Sequence, residues 1–118
     1  MSNVAALDKD LNEKILSGKA MEGIEQYYAD DVVMQENSEA PFVGKDLNRK
    51  REIEFFSSVA EFHGAKLMAS AVADDTSFGQ WWMDVTMKNG PRVTMEQVAV
   101  RKWKNSKIAH ERFFYNRG

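Results

Sequence analysis

The chain has 118 residues, of which 43% are hydrophobic and 29% charged, and its formal net charge is −2. This composition is typical of one soluble domain and argues against a disordered chain or a strongly basic nucleic-acid-binding protein. The absence of cysteine excludes disulfides, thiolate metal sites and cysteine nucleophiles. The sequence shows no signal-peptide pattern and no apolar run near the roughly 20 residues of a membrane span. We therefore expect one domain over residues 1–118, located in the cytoplasm, with neither nucleic acid nor a membrane as partner.

Helical patterns dominate the first half of the chain. Apolar residues recur at helical spacing over residues 4–15, and Gly18 then supplies a stop signal. A short second helix is predicted over residues 21–28. The third predicted helix spans residues 45–59, and its charged side chains are expected to face solvent. The residues expected to point inward from this third helix are Leu47, Ile53, Phe56 and Val59.

The second half of the chain predicts a sheet. Four segments rich in aromatic and β-branched residues follow one another, over residues 62–73, 78–88, 92–104 and 107–116. A short strand over residues 32–36 is expected to join an edge of this sheet, ahead of a loop over residues 37–44. The predicted fold class is α+β, with three N-terminal helices packed on a curved, mostly antiparallel sheet.

Two turns set the expected register of the last three strands. Asn89-Gly90 is the strongest short hairpin signal and predicts a two-residue type I′ turn, and Asn105-Ser106 predicts a second turn. With this register, one sheet face carries Trp81, Glu96 and Glu111 and faces the helices. The opposite face mixes large apolar and polar side chains, as interfaces do, and we expect a homodimer through it. The predicted interface contains Trp82, Met95, Trp103, Ile108 and Phe114, with Arg101, His110 and Arg112 among its polar residues.

Several motifs together resemble a known family. The segment Tyr28-Ala29-Asp30-Asp31-Val32 follows a helix that ends at Gly18, and a loop closing on Gly44-Lys45 precedes the third helix. The last two strands contain Glu96-Gln97-Val98-Ala99-Val100-Arg101 and Glu111-Arg112-Phe113-Phe114-Tyr115. In this arrangement nearly the whole chain resembles the SnoaL-like group of the nuclear transport factor 2-like superfamily.

The resemblance implies a cone in which a curved sheet and helices enclose a deep apolar pocket, commonly in a homodimer formed through the sheet. Family members include polyketide cyclases, ketosteroid isomerases, limonene epoxide hydrolases, dehydratases and non-catalytic binding domains. The general base of the ketosteroid isomerases falls on Glu36. The two oxyanion donors of that enzyme fall near Leu11 and residues 98–100, and the last-strand Asp of the epoxide hydrolases falls near Phe113. Neither of these two activities is therefore expected.

Three acids are the candidate catalytic residues: Glu36, Glu96 and Glu111. Strand alternation points Glu36 into the cone, and the expected register places Glu96 and Glu111 on the apolar face of adjacent strands. A carboxyl group among aromatic side chains is desolvated, which raises its pKa and suits it to general acid–base catalysis near neutral pH. The structural alternative is that Glu111 pairs with a Lys or Arg, or that Glu96 bonds the Tyr115 hydroxyl group.

Large apolar and aromatic side chains are expected to line the pocket in the cone. The candidate ligand-binding residues are Tyr28, Met34, Trp81, Met83, Phe113 and Tyr115. His63 and His110 have no second His or Cys at ligand spacing, so no metal is expected. The sequence also has no glycine-rich phosphate loop. The predicted partner is thus a small apolar molecule, and no cofactor is expected.

These features leave three functions open. The favoured one is a pocket that binds a small molecule, in which the acids orient the ligand. The first alternative is a cofactor-free enzyme that transfers protons on a small apolar carbonyl compound, such as a cyclase, isomerase or dehydratase. The second alternative is a purely structural dimerisation domain, which a cone filled by large side chains would favour. Whether the protein is an enzyme stays open at this point.

Overall fold

The structure is a computed structural model that describes residues 3–116. Its helices are α1 (Val4–Leu16), α2 (Ala20–Tyr27) and α3 (Lys45–Ser57). Its strands are β1 (Tyr28–Glu36), β2 (Phe42–Val43), β3 (Val59–Ala73), β4 (Thr76–Met87), β5 (Arg92–Lys104) and β6 (Lys107–Phe114). The predicted α+β class and the order of helices and long strands are confirmed. Within the described residues, no helix is both long and apolar enough to cross a membrane.

The six strands form one sheet in the order β2-β1-β6-β5-β4-β3. Neighbouring strands are antiparallel except for β1 and β6, which are parallel. The strand after α2 was expected at an edge, but the two-residue strand β2 pairs with it and takes the edge instead. That strand also begins at Tyr28 rather than at residue 32, so Tyr28 belongs to the sheet and not to α2.

The helices α1 and α2 pack against the sheet and form the main core. Val4 and Leu11 lie on one face of α1 and are buried with Ile24 and Tyr27 of α2. Burying a side chain as large as Leu11 contributes about 1.5–3 kcal/mol to folding. Gly18 has a φ of 81° and ends α1, as predicted.

The hairpin between β4 and β5 differs from the expected two-residue turn. The Met87 N–H bonds the Pro91 carbonyl oxygen at 2.9 Å, and the loop between them contains three residues, 88–90. Gly90 has a positive φ of 112°, whereas Asn89 is not among the residues with positive φ. A two-residue turn would need an N–H at position 91 to close it, and proline has none.

This longer loop shifts the register by one residue and exchanges the two faces of β5. Trp81 pairs with Gln97 and Met83 with Met95, so the expected pairs of Trp81 with Val98 and Met83 with Glu96 are wrong. The inner face of β5 carries Met95, Gln97, Ala99, Arg101 and Trp103. The second turn is as predicted, because Asn105 and Ser106 both have positive φ.

The predicted dimer face is therefore not one surface. Four of its residues lie on the inner side of the sheet: Met95, Arg101, Trp103 and Ile108. Trp103 packs edge-on against Tyr27 in the core, with ring centroids 5.8 Å apart. Trp82 is half-buried, with the Lys66 ammonium 5.4 Å from its ring centroid. Phe114 is 42% exposed on the outer face, where it pairs with Val98.

The helix α3 turns a different face to the sheet than expected. Leu47, Ile53 and Phe56, which were expected to point inward, are 44%, 51% and 38% exposed. Asn48 is buried instead and donates to two carbonyl oxygens of the preceding segment, at 3.0 and 2.8 Å. These bonds orient the helix so that the side carrying Asn48 and, one turn later, Glu52 faces the interior.

Candidate functional site

A cavity of about 710 Å³ lies between α3, β1 and the inner face of the sheet. Its wall includes the aromatic or thioether side chains of Met34, Phe55, Trp81, Trp82, Met83, Met95, Phe113 and Tyr115. A smaller cavity of about 120 Å³ shares part of this wall and extends to Tyr28, Arg101 and Glu111. Small-molecule sites in proteins occupy about 300–1,000 Å³. The structure brings all six predicted ligand-binding residues to these cavities, and the cone is not filled by large side chains.

A buried ion-pair network closes the inner end of the smaller cavity. Arg101 of β5 donates from Nε to Glu111 of β6 at 2.8 Å. It also donates from Nη1 to Asp8 Oδ1 and Asn12 Oδ1 of α1, at 2.7 Å each. The Tyr28 hydroxyl group donates to the second oxygen of Glu111. Arg101 is 4% exposed and Glu111 is 1% exposed, so the network is shielded from water.

Two further contacts complete the network around Asp8. The Ser77 hydroxyl group donates to Asp8 Oδ1 at 2.7 Å and accepts from Trp103 Nε1 at 2.9 Å. Asn12 Nδ2 donates to Asp8 Oδ2 at 3.1 Å. No buried polar side-chain atom within residues 3–116 lacks a hydrogen-bond partner. Because all of these buried polar atoms are hydrogen-bonded, the network is rigid, and the loss of any member would lower the stability of the fold.

The electrostatics of the network keep its arginine charged and its tyrosine protonated. Burial lowers the pKa of Arg101, but the charges of Glu111 and Asp8 raise it by more, so the net shift is upward. Burial, and then the charge of Glu111, raise the pKa of Tyr28 well above its ordinary value. Tyr28 therefore remains a hydrogen-bond donor to Glu111, and Glu111 is a paired acid, as the structural alternative foresaw.

Glu36 lies on the wall of the larger cavity, near its outer end. It points into the cone as predicted, and it accepts hydrogen bonds from Arg51 of α3 and from the Tyr115 hydroxyl group. Tyr115 was expected to bond Glu96, so that pairing is wrong. Because a guanidinium group lies against Glu36, this acid is an ion-pair partner that fixes α3 to the sheet.

The structure places Glu96 on the wall of the larger cavity with Glu36, but away from the smaller cavity that Glu111 lines. Glu96 pairs with Trp82 in the β4–β5 ladder and is exposed at the border of the cavity. Strand alternation places its side chain on the opposite face of β5 from Arg101, and an irregularity in the β5–β6 pairing between Lys102 and Trp103 places Glu111 directly opposite Arg101. The expectation that Glu96 and Glu111 share an apolar face is therefore wrong.

The acid that the sequence analysis missed is Glu52. The helix α3 carries it to the wall that both cavities share. The Glu52 side chain is half-buried, and its carboxyl group forms no hydrogen bond or ion pair with residues 3–116. Burial, and then the charges of Glu111 and Glu36, raise the pKa of Glu52 from 4.5 to about 7, against the lowering effect of Arg51. Near neutral pH this carboxyl group is present in both protonated and ionised forms, which suits it to exchange a proton or to bind a charged group.

The sequence contains a signal for Glu52. Asn48, Glu52 and Phe55 follow one another at the i, i+4 and i+7 spacing of one helix face. Asn48 is buried, and Glu52 and Phe55 line the larger cavity. In the part of the chain that the structure describes, no group of three or more His, Asp or Glu residues is placed to hold a metal ion.

The family of this chain follows from its sequence. The SnoaL-like domain family matches residues 3–115, which is nearly the whole chain. The chain belongs to the SnoaL-like family. The sheet order, the three helices and the cavity between them are those of the α+β cone that the motifs around Tyr28 and Glu111 imply.

Three solved structures show how this SnoaL-like chain compares with its relatives. A Mesorhizobium loti protein proposed to be a SnoaL-like polyketide cyclase is 32% identical, with a TM-score of 0.86 over 97% of this chain and 100% of that chain. A Burkholderia pseudomallei nuclear transport factor 2-like protein of unknown function is 16% identical, with a TM-score of 0.82 over 98% and 92%. A proposed SnoaL-like polyketide cyclase from Jannaschia sp. CCS1 is 9% identical, with a TM-score of 0.83 over 98% and 90%. No protein with a curated description matches the sequence.

Proposed function

We propose that this SnoaL-like protein binds a small, largely apolar molecule in the cavity between α3 and the sheet. The observation that carries the proposal is the cavity of about 710 Å³, whose wall is mostly aromatic and thioether side chains. Its polar lining residues include the charged side chains of Glu36, Arg51 and Glu52, and placed polar groups of this kind fix the orientation of a ligand in a pocket. A domain that only dimerises would gain stability by filling this space, because empty apolar volume forfeits packing energy.

A second candidate function is proton transfer on a bound carbonyl compound. The specific observation that favours it is Glu52, whose pKa is raised to about 7 at the wall of the cavity. Ionised Glu52 would accept a proton from the carbon next to the carbonyl group. Glu52 would then return this proton to another atom of the same molecule, so that the enzyme neither gains nor loses a proton overall. The relatives from Mesorhizobium loti and Jannaschia are proposed polyketide cyclases, so cyclisation is the first reaction to assay.

Ligand binding is tested by blocking the cavity. Met95 lies on its wall, and Met95→Trp would place a larger side chain in the space. We expect the wild-type protein to bind the neutral fluorescent probe N-phenyl-1-naphthylamine saturably, and Met95→Trp to bind it at least about tenfold more weakly, a loss of about 1.4 kcal/mol. The control is Lys102→Trp, which adds the same side chain at an exposed position of the same strand. Failure of the wild-type protein to bind, or equal binding by both variants, would contradict the proposal.

We also infer that two copies associate through the outer face of the sheet. The residues of this interface differ from those expected from the sequence, because the observed register places other side chains on the outer face. Phe78, Val98 and Phe114 are 37%, 39% and 42% exposed. Val98 pairs with Phe114, and Phe78 pairs with the neighbouring Val100, so these side chains form one apolar strip. Soluble monomers rarely leave extended apolar patches in water. The family resemblance favours a second copy of this chain, whose own apolar strip would cover this one.

The association is tested at Phe114. We expect the wild-type protein to sediment as a dimer at micromolar concentration and Phe114→Asp to sediment as a monomer, because a charge in the apolar strip would have to be desolvated on association. Leu47→Asp is the control, since Leu47 is 44% exposed on α3, away from the strip. A monomeric wild-type protein, or a dimer that Leu47→Asp disrupts and Phe114→Asp does not, would show that this assignment is wrong.

A further inference from the structure

We infer that the ligand of this cavity is an apolar molecule that carries a protonated amine, and that its ammonium group binds against Glu52. The inference rests on the proposed binding function and names the chemical class of the ligand.

The charges at the cavity wall are the first reason for this choice. The guanidinium group of Arg101 is engaged by two carboxylates, Glu111 and Asp8, and that of Arg51 lies against Glu36. Both of these arginines are therefore occupied and offer no full positive charge to an anionic ligand. Glu52 adds a further carboxyl group, and residues 3–116 provide it with no ion-pair partner. A ligand carboxylate or phosphate would be repelled there, whereas an ammonium group would supply the missing counter-charge.

The aromatic wall is the second reason. Glu52 shares the wall of both cavities with Trp81, Trp82 and Phe113, and Phe55 lies about one turn along the same helix. Aromatic faces attract cations, and the attraction is stronger when water is excluded. A carboxylate beside several aromatic rings is thus a suitable site for an ammonium group, while the thioether and aromatic side chains around it would bury the hydrocarbon part of the same molecule.

The ionisation of Glu52 separates this inference from proton transfer. An ammonium group beside Glu52 would favour its ionised form and lower its pKa from the value of about 7 in the free protein. The charged groups that act on Glu52 from the elements around it are Glu111, Arg51 and Glu36. Binding of an amine near neutral pH would therefore release a proton from Glu52, and binding of a neutral molecule would not.

The experiment compares three probes that share one naphthalene skeleton: 1-naphthylmethylamine, 1-naphthylmethanol and 1-naphthoate. Isothermal titration at pH 8 gives their affinities for the wild-type protein, Glu52→Gln and Glu54→Gln. Glu54 is an exposed acid on the same helix and serves as the matched control. We expect the wild-type protein and Glu54→Gln to bind the amine at least about tenfold more tightly than the alcohol, and the naphthoate most weakly. In Glu52→Gln the amine and the alcohol should bind within about threefold of each other.

Three other results of these titrations would contradict either the inference or the proposed function. If the alcohol binds the wild-type protein as tightly as the amine does, the inference is overturned and the proposed binding function stands. If Glu52→Gln keeps the preference for the amine, Glu52 is not its partner and the inference is equally overturned. If none of the three probes binds, the proposed function is contradicted and the inference falls with it.

Discussion

Replacing Arg101 with methionine is expected to lower the free energy of unfolding by about 3–5 kcal/mol, the largest single effect that we expect in this fold. The substitution would leave Glu111 and Asp8, which are 1% and 5% exposed, without the cation that both of them contact. Buried carboxylates without a counter-charge are far more costly than an apolar residue in the same place. Equilibrium unfolding in urea at neutral pH measures the loss.

Two variants make this result specific. Lys102→Met removes a positive charge from the next residue of β5, which is exposed, and should change the stability by less than about 0.5 kcal/mol. The double variant Arg101→Met/Glu111→Gln should recover part of the loss, because it removes one of the two stranded charges. A loss below about 1 kcal/mol for Arg101→Met would be incompatible with the network as the structure shows it.

Glu52→Gln is expected to raise the stability above neutral pH, opposite in sign to the Arg101 substitution. The pKa of Glu52 is about 7 in the folded chain against an ordinary value of 4.5. Between these values the folded chain holds a proton that the unfolded chain has released, so the contribution of Glu52 to stability falls as the pH rises through this window. The full decrease is on the order of 3 kcal/mol, and it is complete about one pH unit above the pKa of the folded chain.

The measurement is urea unfolding at several pH values between 5 and 8. The difference in stability between Glu52→Gln and the wild-type protein should grow in favour of the variant across this range, while Glu54→Gln should follow the wild-type curve. Glu54 is exposed and lies on the same helix, so it controls for the loss of a negative charge from α3. A Glu52→Gln variant that is less stable than the wild-type protein at pH 8 would mean that Glu52 is a stabilised ion rather than a desolvated acid.

Hydrophobic periodicity and turn residues predicted the order of the helices and long strands because these signals are local. The register of β4 and β5 depended on a single residue. Asn89-Gly90 predicts a two-residue turn, but the proline at position 91 cannot donate the hydrogen bond that closes such a turn. Taking Pro91 into account would have placed Arg101 inside the cone and Glu96 outside it.

The side-chain faces of the helices were harder to predict because tertiary packing decides them. Leu47, Ile53 and Phe56 do not share one face of a helix, so they could not define the buried side of α3. On α1, Asp8 and Asn12 do lie on the same face as the buried Leu11. Polar residues at core positions require buried partners, and that requirement is the sequence signal for the network around Arg101.

The crystal structure of the protein grown with 1-naphthylmethanol tests most directly whether this cavity is a ligand site. We predict electron density for the naphthyl group inside the cavity, in contact with Trp81 and Phe113, with the hydroxyl group on the side of Glu52. A cavity that holds only ordered water, with the probe bound solely on the outer face of the sheet around Phe114, would contradict the proposed function.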